Sequence, residues 1–142
     1  MTYLSLAAGA KGVFDFIYQS MPQHPQKLEG LIDPQGAPTA MYGPASDLAK
    51  ELRRLAPLLM SLKPNGPGTA QGDFRVGSFK DGSGHPVLIV ASARPGAAVN
   101  VQVAVDSDAP WKDALTGESF TPQGKVLSLA LSPGSGKVFA QR

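Results

Sequence analysis

The chain has 142 residues, 42% hydrophobic and 17% charged, a balance that builds a globular core and excludes a wholly disordered polypeptide. Its 16 glycines and 13 prolines exclude an all-helical protein, and they follow no collagen period, so many turns and an all-β portion are expected. The formal charge of +2 comes from scattered lysines and arginines with no basic cluster interleaved with aromatics, so no nucleic-acid partner is expected. With no cysteine there is no disulfide framework, thiolate zinc site or cysteine nucleophile, and the compartment is left open. No apolar run approaches the roughly 20 residues needed to span a bilayer, so no membrane-spanning segment is expected.

Residues 3–8 are rich in Ala and Leu and predict a helix, with Gly9 placed to take positive φ just past its end. This apolar run is too short, and lacks the preceding Lys or Arg, for a signal peptide. No Ser, Thr, Asp or Asn precedes it as an N-cap, which suggests an element that starts further upstream.

The stretch KGVFDFIYQS, residues 11–20, predicts one strand of a parallel sheet covered on both sides. Val13, Asp15, Ile17 and Gln19 fall on one face, and Phe14, Phe16 and Tyr18 on the other. No other segment of the first 64 residues reads as its parallel neighbour. Each buried, unpaired backbone group costs about 1–3 kcal/mol, so its partners are expected from outside this segment. Self-association through the strand's open edges is a further possibility.

Residues 20–38, rich in proline and glycine, predict a long irregular loop leaving the C-terminal end of that strand, where parallel α/β folds bind ligands. Thr39 caps a predicted helix whose apolar stripe runs Met41, Ala45, Leu48, Leu52, Leu55, Leu59 and Leu62. Asp47, Lys50, Glu51, Arg53 and Arg54 lie off the stripe. Gly43-Pro44 and Pro57 are expected to divide this helix into two or three pieces.

Residues 63–72, KPNGPGTAQG, are turn formers and mark a boundary. Beyond them, 74–80 and 86–93 flank Asp81-Gly82-Ser83-Gly84, a hairpin signal. Residues 98–105 alternate most clearly, with Val99, Val101, Val103 and Val105 on one face and Asn100, Gln102 and Ala104 on the other. Further strands are expected at 111–115, 119–121, 126–131 and 137–140, and such a series predicts an antiparallel β-sandwich.

These parts, in this order, resemble a known family. YLSLAAGAKGVFDFIYQS, GLIDPQGAPTAMY and LAKELRRLAPLL look like the last helix, strand and helix of the (β/α)8 barrel of glycoside hydrolases of the β-galactosidase and related retaining type. WKDALTGESF and LSLALSPGSGKVF are similar to the C-terminal β-sandwich that follows the barrel in many glycosidases and amylases. The fold class this implies is α+β: residues 1–64 as the helix-strand-helix remnant of a barrel, 65–72 as a linker and 73–142 as a small antiparallel accessory sandwich.

By the same resemblance, the parent enzyme hydrolyses β-glycosidic bonds by double displacement. Its paired carboxyls, about 5–5.5 Å apart in a retaining site, would stand on earlier strands upstream of Met1. This chain is therefore expected to be inactive alone and to lack them: Glu29 reads as loop, Glu51 as helix surface, Glu118 as a turn, and Asp106 and Asp108 as turn formers. Asp15, Tyr18 and Gln19 near the strand end would contribute to the floor of a sugar site. The equally weighted alternative keeps Phe14, Phe16 and Tyr18 as packing.

Other chemistry is thinly represented. Gly134-Ser135-Gly136-Lys137 lacks the following Ser or Thr and the earlier glycine of a phosphate-binding loop, and reads as a turn. His24 and His85 are distant from one another, with no accompanying carboxylate or cysteine group, and neither a metal nor a cofactor is expected. No Gly-x-Ser-x-Gly elbow occurs. Trp111 reads as sandwich core more readily than as a sugar-stacking residue. The competing functional reading is a self-standing, non-catalytic carbohydrate- or protein-binding module, favoured if Trp111 or Tyr18 is exposed beside hydrogen-bonding groups.

Overall fold

A computed structural model describes residues 1–13 and 17–141. The chain forms two compact units, one of Met1–Val13 with Pro57–Arg142 and the other of Phe14–Ala56.

The first unit is a mixed helical and antiparallel β structure. Its helix α1 (Thr2–Ala7) ends before Gly9 at φ 97°, as the sequence predicts. Its strands are β1 (Lys63–Pro64), β2 (Thr69–Gln71), β3 (Phe74–Lys80), β4 (Pro86–Ser92), β5 (Val99–Ala104), β6 (Trp111–Asp113), β7 (Ser119–Phe120), β8 (Val126–Leu131) and β9 (Gly136–Ala140). A seven-stranded sheet runs β1-β3-β4-β9-β6-β7, and β2 shares the outer edge of β3 with β1. The second sheet consists of β5 and β8, paired antiparallel from Val99↔Leu131 to Ala104↔Val126.

Strict alternation explains the packing between these sheets. Val99, Val101 and Val103 of β5 and Leu127, Leu129 and Leu131 of β8 are buried, while the residues between them are exposed. They meet Phe74 and Val76 of β3, Leu88 and Val90 of β4, Trp111 of β6 and Phe139 of β9 in one apolar core. Full burial of a Val, Leu or Phe side chain stabilises by about 1.5–3 kcal/mol, so this face holds the sandwich together.

Central strand β4 is buried on both faces, because Val87, Ile89 and Ala91 point away from that core and toward α1. Tyr3, Leu6 and Ala7 of α1 are buried there. Close approach of helix to sheet depends on glycine: a Cβ at Gly77 would overlap the Ala7 carbonyl oxygen, and one at Gly136 would lie 2.5 Å from Tyr3 Cβ.

In the second unit, the backbone crosses itself tightly. Gln19 bridges Ile32 in parallel, Met21 bridges Leu28, and Ile32 bridges Pro38. Helix α2 (Tyr42–Ser61) leads out of this unit and is continuous, with Pro57 inside it, in place of the two or three pieces expected. Pro44 is tolerated because it lies in the first turn, where its missing N–H has no intrahelical partner. At the other end, Lys11 Nζ donates to the carbonyls of Leu59 and Leu62, at 3.0 and 2.5 Å, satisfying acceptors that the helix terminus leaves open.

Two further differences concern strands. Residues 69–71, within the expected linker, form β2 on the edge of β3. Of the strand expected at 12–19, Phe14, Asp15 and Phe16 lie outside the described residues, and Gly12, Val13, Ile17 and Tyr18 belong to no ladder. A strand exists only through its hydrogen-bonded neighbour, and the one pairing described here is the Gln19–Ile32 bridge.

Candidate functional site

Of the three expected sugar-floor residues, Asp15 lies outside the described residues. Tyr18 and Gln19 are adjacent and exposed in the second unit, with Tyr18 63% exposed. The Tyr18 carbonyl accepts from Ile32 N at 3.0 Å, and Gln19 Nε2 donates to the Pro34 carbonyl at 3.3 Å. Gly30 makes this crossing possible, since a Cβ there would lie 2.7 Å from the Tyr18 carbonyl oxygen. Ser20 Oγ accepts from Gly30 N and donates to the Ile32 carbonyl, while Thr39 Oγ1 donates to the Gly30 carbonyl at 2.6 Å. A hydrogen-bonded loop thus carries an exposed phenol and, at the next residue, an exposed amide.

Among the described residues, Asp81, Asp108 and Asp113 brace turns and loops. Glu29 is exposed in the loop, Glu51 lies on α2, and Glu118 is in the turn between β6 and β7. Asp81 sits in the β3–β4 hairpin, where its Oδ1 accepts from the amides of Ser83 at 2.8 Å and His85 at 3.0 Å. Burial pushes its pKa upward, but those amides and the His85 imidazole outweigh it, and the carboxyl is held below its ordinary value.

Asp113 follows the same logic. Burial acts upward, and Lys137 together with the Leu115 and Thr116 amides brings the net shift downward. A general acid needs a raised pKa to hold its proton near neutrality, so both aspartates are suited to bracing turns. Asp108 Oδ1 likewise accepts from Lys125 N at 2.6 Å and pins the loop after β5. Neither histidine lies in a metal-ligating group among the described residues: His24 Nδ1 accepts from Gln26 N, and His85 Nδ1 is 3.5 Å from Asp81 Oδ2.

Trp111 is 4% exposed and belongs to the sandwich core, as its sequence context suggests. Its indole Nε1 is buried without a hydrogen-bond partner among the described residues.

A second site, not apparent from the sequence, opens at one end of the sandwich. A cleft of ≈ 670 Å³ lies between the β3–β4 side and the end of β5, over Val76, Leu88, Val103 and Trp111. Ser78, Lys80, Asp106 and Gln141 supply polar groups to its lining. The sequence carries one signal of it: the sandwich-facing residues of β3 run Phe74, Val76, Ser78, Lys80, changing from apolar to polar partway along a single face.

No family model and no curated protein matches this sequence. Solved structures do match the fold. AmyP in complex with maltose aligns with a TM-score of 0.62 at 15% identity, over 81% of this chain and 24% of its own. The α-amylase from Geobacillus thermoleovorans complexed with acarbose gives 0.59 at 12% identity, over 83% of this chain and 26% of its own. An Anoxybacillus α-amylase gives 0.54 at 10% identity, over 66% and 21%. The likeness is one of fold, to part of each of these solved chains. This chain spans about a quarter of the length of the solved chains it matches.

Proposed function

We propose that this chain is the C-terminal portion of a retaining glycoside hydrolase, carrying the last helix-strand-helix unit of a (β/α)8 barrel, a linker and an accessory β-sandwich. The observation that carries the reading is the match to AmyP over 81% of this chain but 24% of that one. In this reading residues 1–64 belong to the barrel, 65–72 connect, and 73–142 form the sandwich that braces it. The paired carboxylates reside on barrel strands outside these 142 residues, and the isolated chain has no hydrolytic activity. Asp15, Tyr18 and Gln19 contribute to the floor of the sugar site once the upstream barrel pairs with residues 11–20. The neighbours named α-amylases favour an α-glycosidic bond over the β-glycosidic bond implied by the sequence resemblance.

The intact mass and N-terminal residue of the native polypeptide test this reading. A mass well above 14.8 kDa, with barrel sequence preceding Met1, is the expected result. A native chain that begins at Met1 overturns it.

A second reading, a self-standing carbohydrate- or protein-binding module, is favoured by one observation: Tyr18 is exposed beside Gln19. Burial of Trp111 removes its other contact residue.

A further inference from the structure

We propose that the cleft at the open end of the sandwich is a binding site for a neutral sugar, distinct from any site formed around Tyr18 and Gln19. All its lining residues belong to the first unit, so the inference stands whether or not the chain is part of a larger enzyme.

The lining defines the ligand chemistry. Its floor is apolar, lined by Val76, Leu88, Val103 and Trp111, all of them buried core side chains. Its polar side chains are the hydroxyls of Ser78 and Ser107, the Lys80 ammonium, the Asp106 carboxylate and the amides of Asn65 and Gln141. No hydrogen bond among the described residues uses the side chains of Ser78, Lys80 or Asp106, so their donors and acceptors are available. One ammonium and one carboxylate cancel formally, which disfavours a phosphate or another multiply charged anion. A purely apolar ligand would strip water from these groups without replacing its hydrogen bonds. A polyhydroxylated ring satisfies both the floor and the rim. The volume of ≈ 670 Å³ falls within the range of small-molecule sites, about 300–1,000 Å³.

The Trp111 indole adds an independent sign. Its N–H is a buried donor with no protein acceptor among the described residues, an uncommon and costly state, in a residue that also lines the cleft. The walls are fixed around it: Asn65 N donates to the Ser78 carbonyl, Gln141 N donates to the Pro86 carbonyl, and Asp108 anchors the loop carrying Asp106.

The chain has one tryptophan, so a ¹⁵N-labelled sample of the full 142 residues gives a single indole resonance. Titration with maltotriose and, separately, methyl β-galactoside is expected to shift that resonance saturably, together with the amides of Ser78, Lys80 and Asp106, for at least one sugar. Asp106→Ala and Lys80→Met, both on exposed rim positions, are each expected to weaken binding at least about tenfold, with unchanged amide spectra elsewhere confirming the fold. Absence of any indole or cleft shift up to about 20 mM of both sugars overturns the proposal, since that corresponds to an affinity weaker than about 2–3 kcal/mol. Shifts confined to Tyr18 and Gln19, or binding unaffected by both variants, overturn it equally.

Discussion

Lys137 Nζ on β9 lies 2.6 Å from Asp113 Oδ2 on β6, joining two paired strands through side chains that are 27% and 4% exposed. The other carboxylate oxygen accepts from Leu115 N at 2.9 Å and Thr116 N at 3.3 Å, so one aspartate fastens both the strand pair and the turn that follows it. The ammonium also stands 5.2 Å above the Phe120 ring, which packs edge-on against Phe139. Charge and apolar core meet at this point.

Removing one partner of this pair should cost more than the pair contributes, because the survivor keeps its desolvation penalty. Asp113→Ala, which also strands two turn amides, is expected to destabilise the chain by about 2–3 kcal/mol, and Lys137→Met by about 1–2 kcal/mol. Urea unfolding followed by Trp111 fluorescence measures both. A change below about 0.5 kcal/mol for Asp113→Ala would place the pair with ordinary surface ion pairs.

The same carboxyl sets a pH dependence with a defined sign. Its folded pKa lies below the ordinary value of 3.8, so its stabilisation is complete above that value and is lost as the pH falls through the lower folded pKa. Asp81 shifts in the same direction and contributes in the same acidic window. The unfolding free energy of the native chain is expected to fall as the pH drops below the ordinary carboxyl value of 3.8, and that of Asp113→Asn to fall less steeply. Equal slopes for the two proteins would assign the acid sensitivity to other groups.

Trp111 separates packing from hydrogen bonding. Trp111→Ala removes a buried bicyclic side chain from the core and is expected to cost about 3–5 kcal/mol. Trp111→Phe loses less area and also removes the unpartnered N–H, so it should cost less than about 1.5 kcal/mol. Thermal unfolding by circular dichroism ranks the two variants.

These elements also show which features a linear sequence can carry. Alternation at Val99, Val101 and Val103, and at Leu127, Leu129 and Leu131, declares one wet and one buried face, so both strands are legible from the pattern alone. Asp81-Gly82-Ser83-Gly84 marks its hairpin because only a few residue types satisfy such a turn. Residues 69–71 are hidden because their strand state comes from the edge of β3, not from their own Thr-Ala-Gln composition. The continuity of α2 through Pro57 is hidden for a related reason: a proline's local cost, about 3 kcal/mol, can be offset by tertiary contacts that no local pattern records. Tyr18 and Gln19 are legible as neighbours, but the crossing that supports them depends on Gly30, eleven residues beyond Gln19. The cleft gathers residues from separated strands and loops, and only the polar end of β3 hints at it.

Two glycines with opposite surroundings test the account of helix docking. At Gly77 on β3, an added Cβ meets the Ala7 carbonyl oxygen, and backbone cannot rotate aside as a side chain can. Gly77→Ala should therefore push α1 off the sheet and destabilise by about 1–3 kcal/mol, the usual cost of overpacking. Gly43, in the first turn of α2, has open space where its Cβ would stand. Gly43→Ala should leave stability unchanged or raise it by about 0.4–1 kcal/mol through the reduced entropy of the unfolded chain. Urea midpoints moving in opposite directions are the expected result. If Gly77→Ala left its midpoint in place, α1 would not be held as closely over β3 and β4 as the structure shows, and the buried state of Tyr3, Leu6 and Ala7 would need another cause.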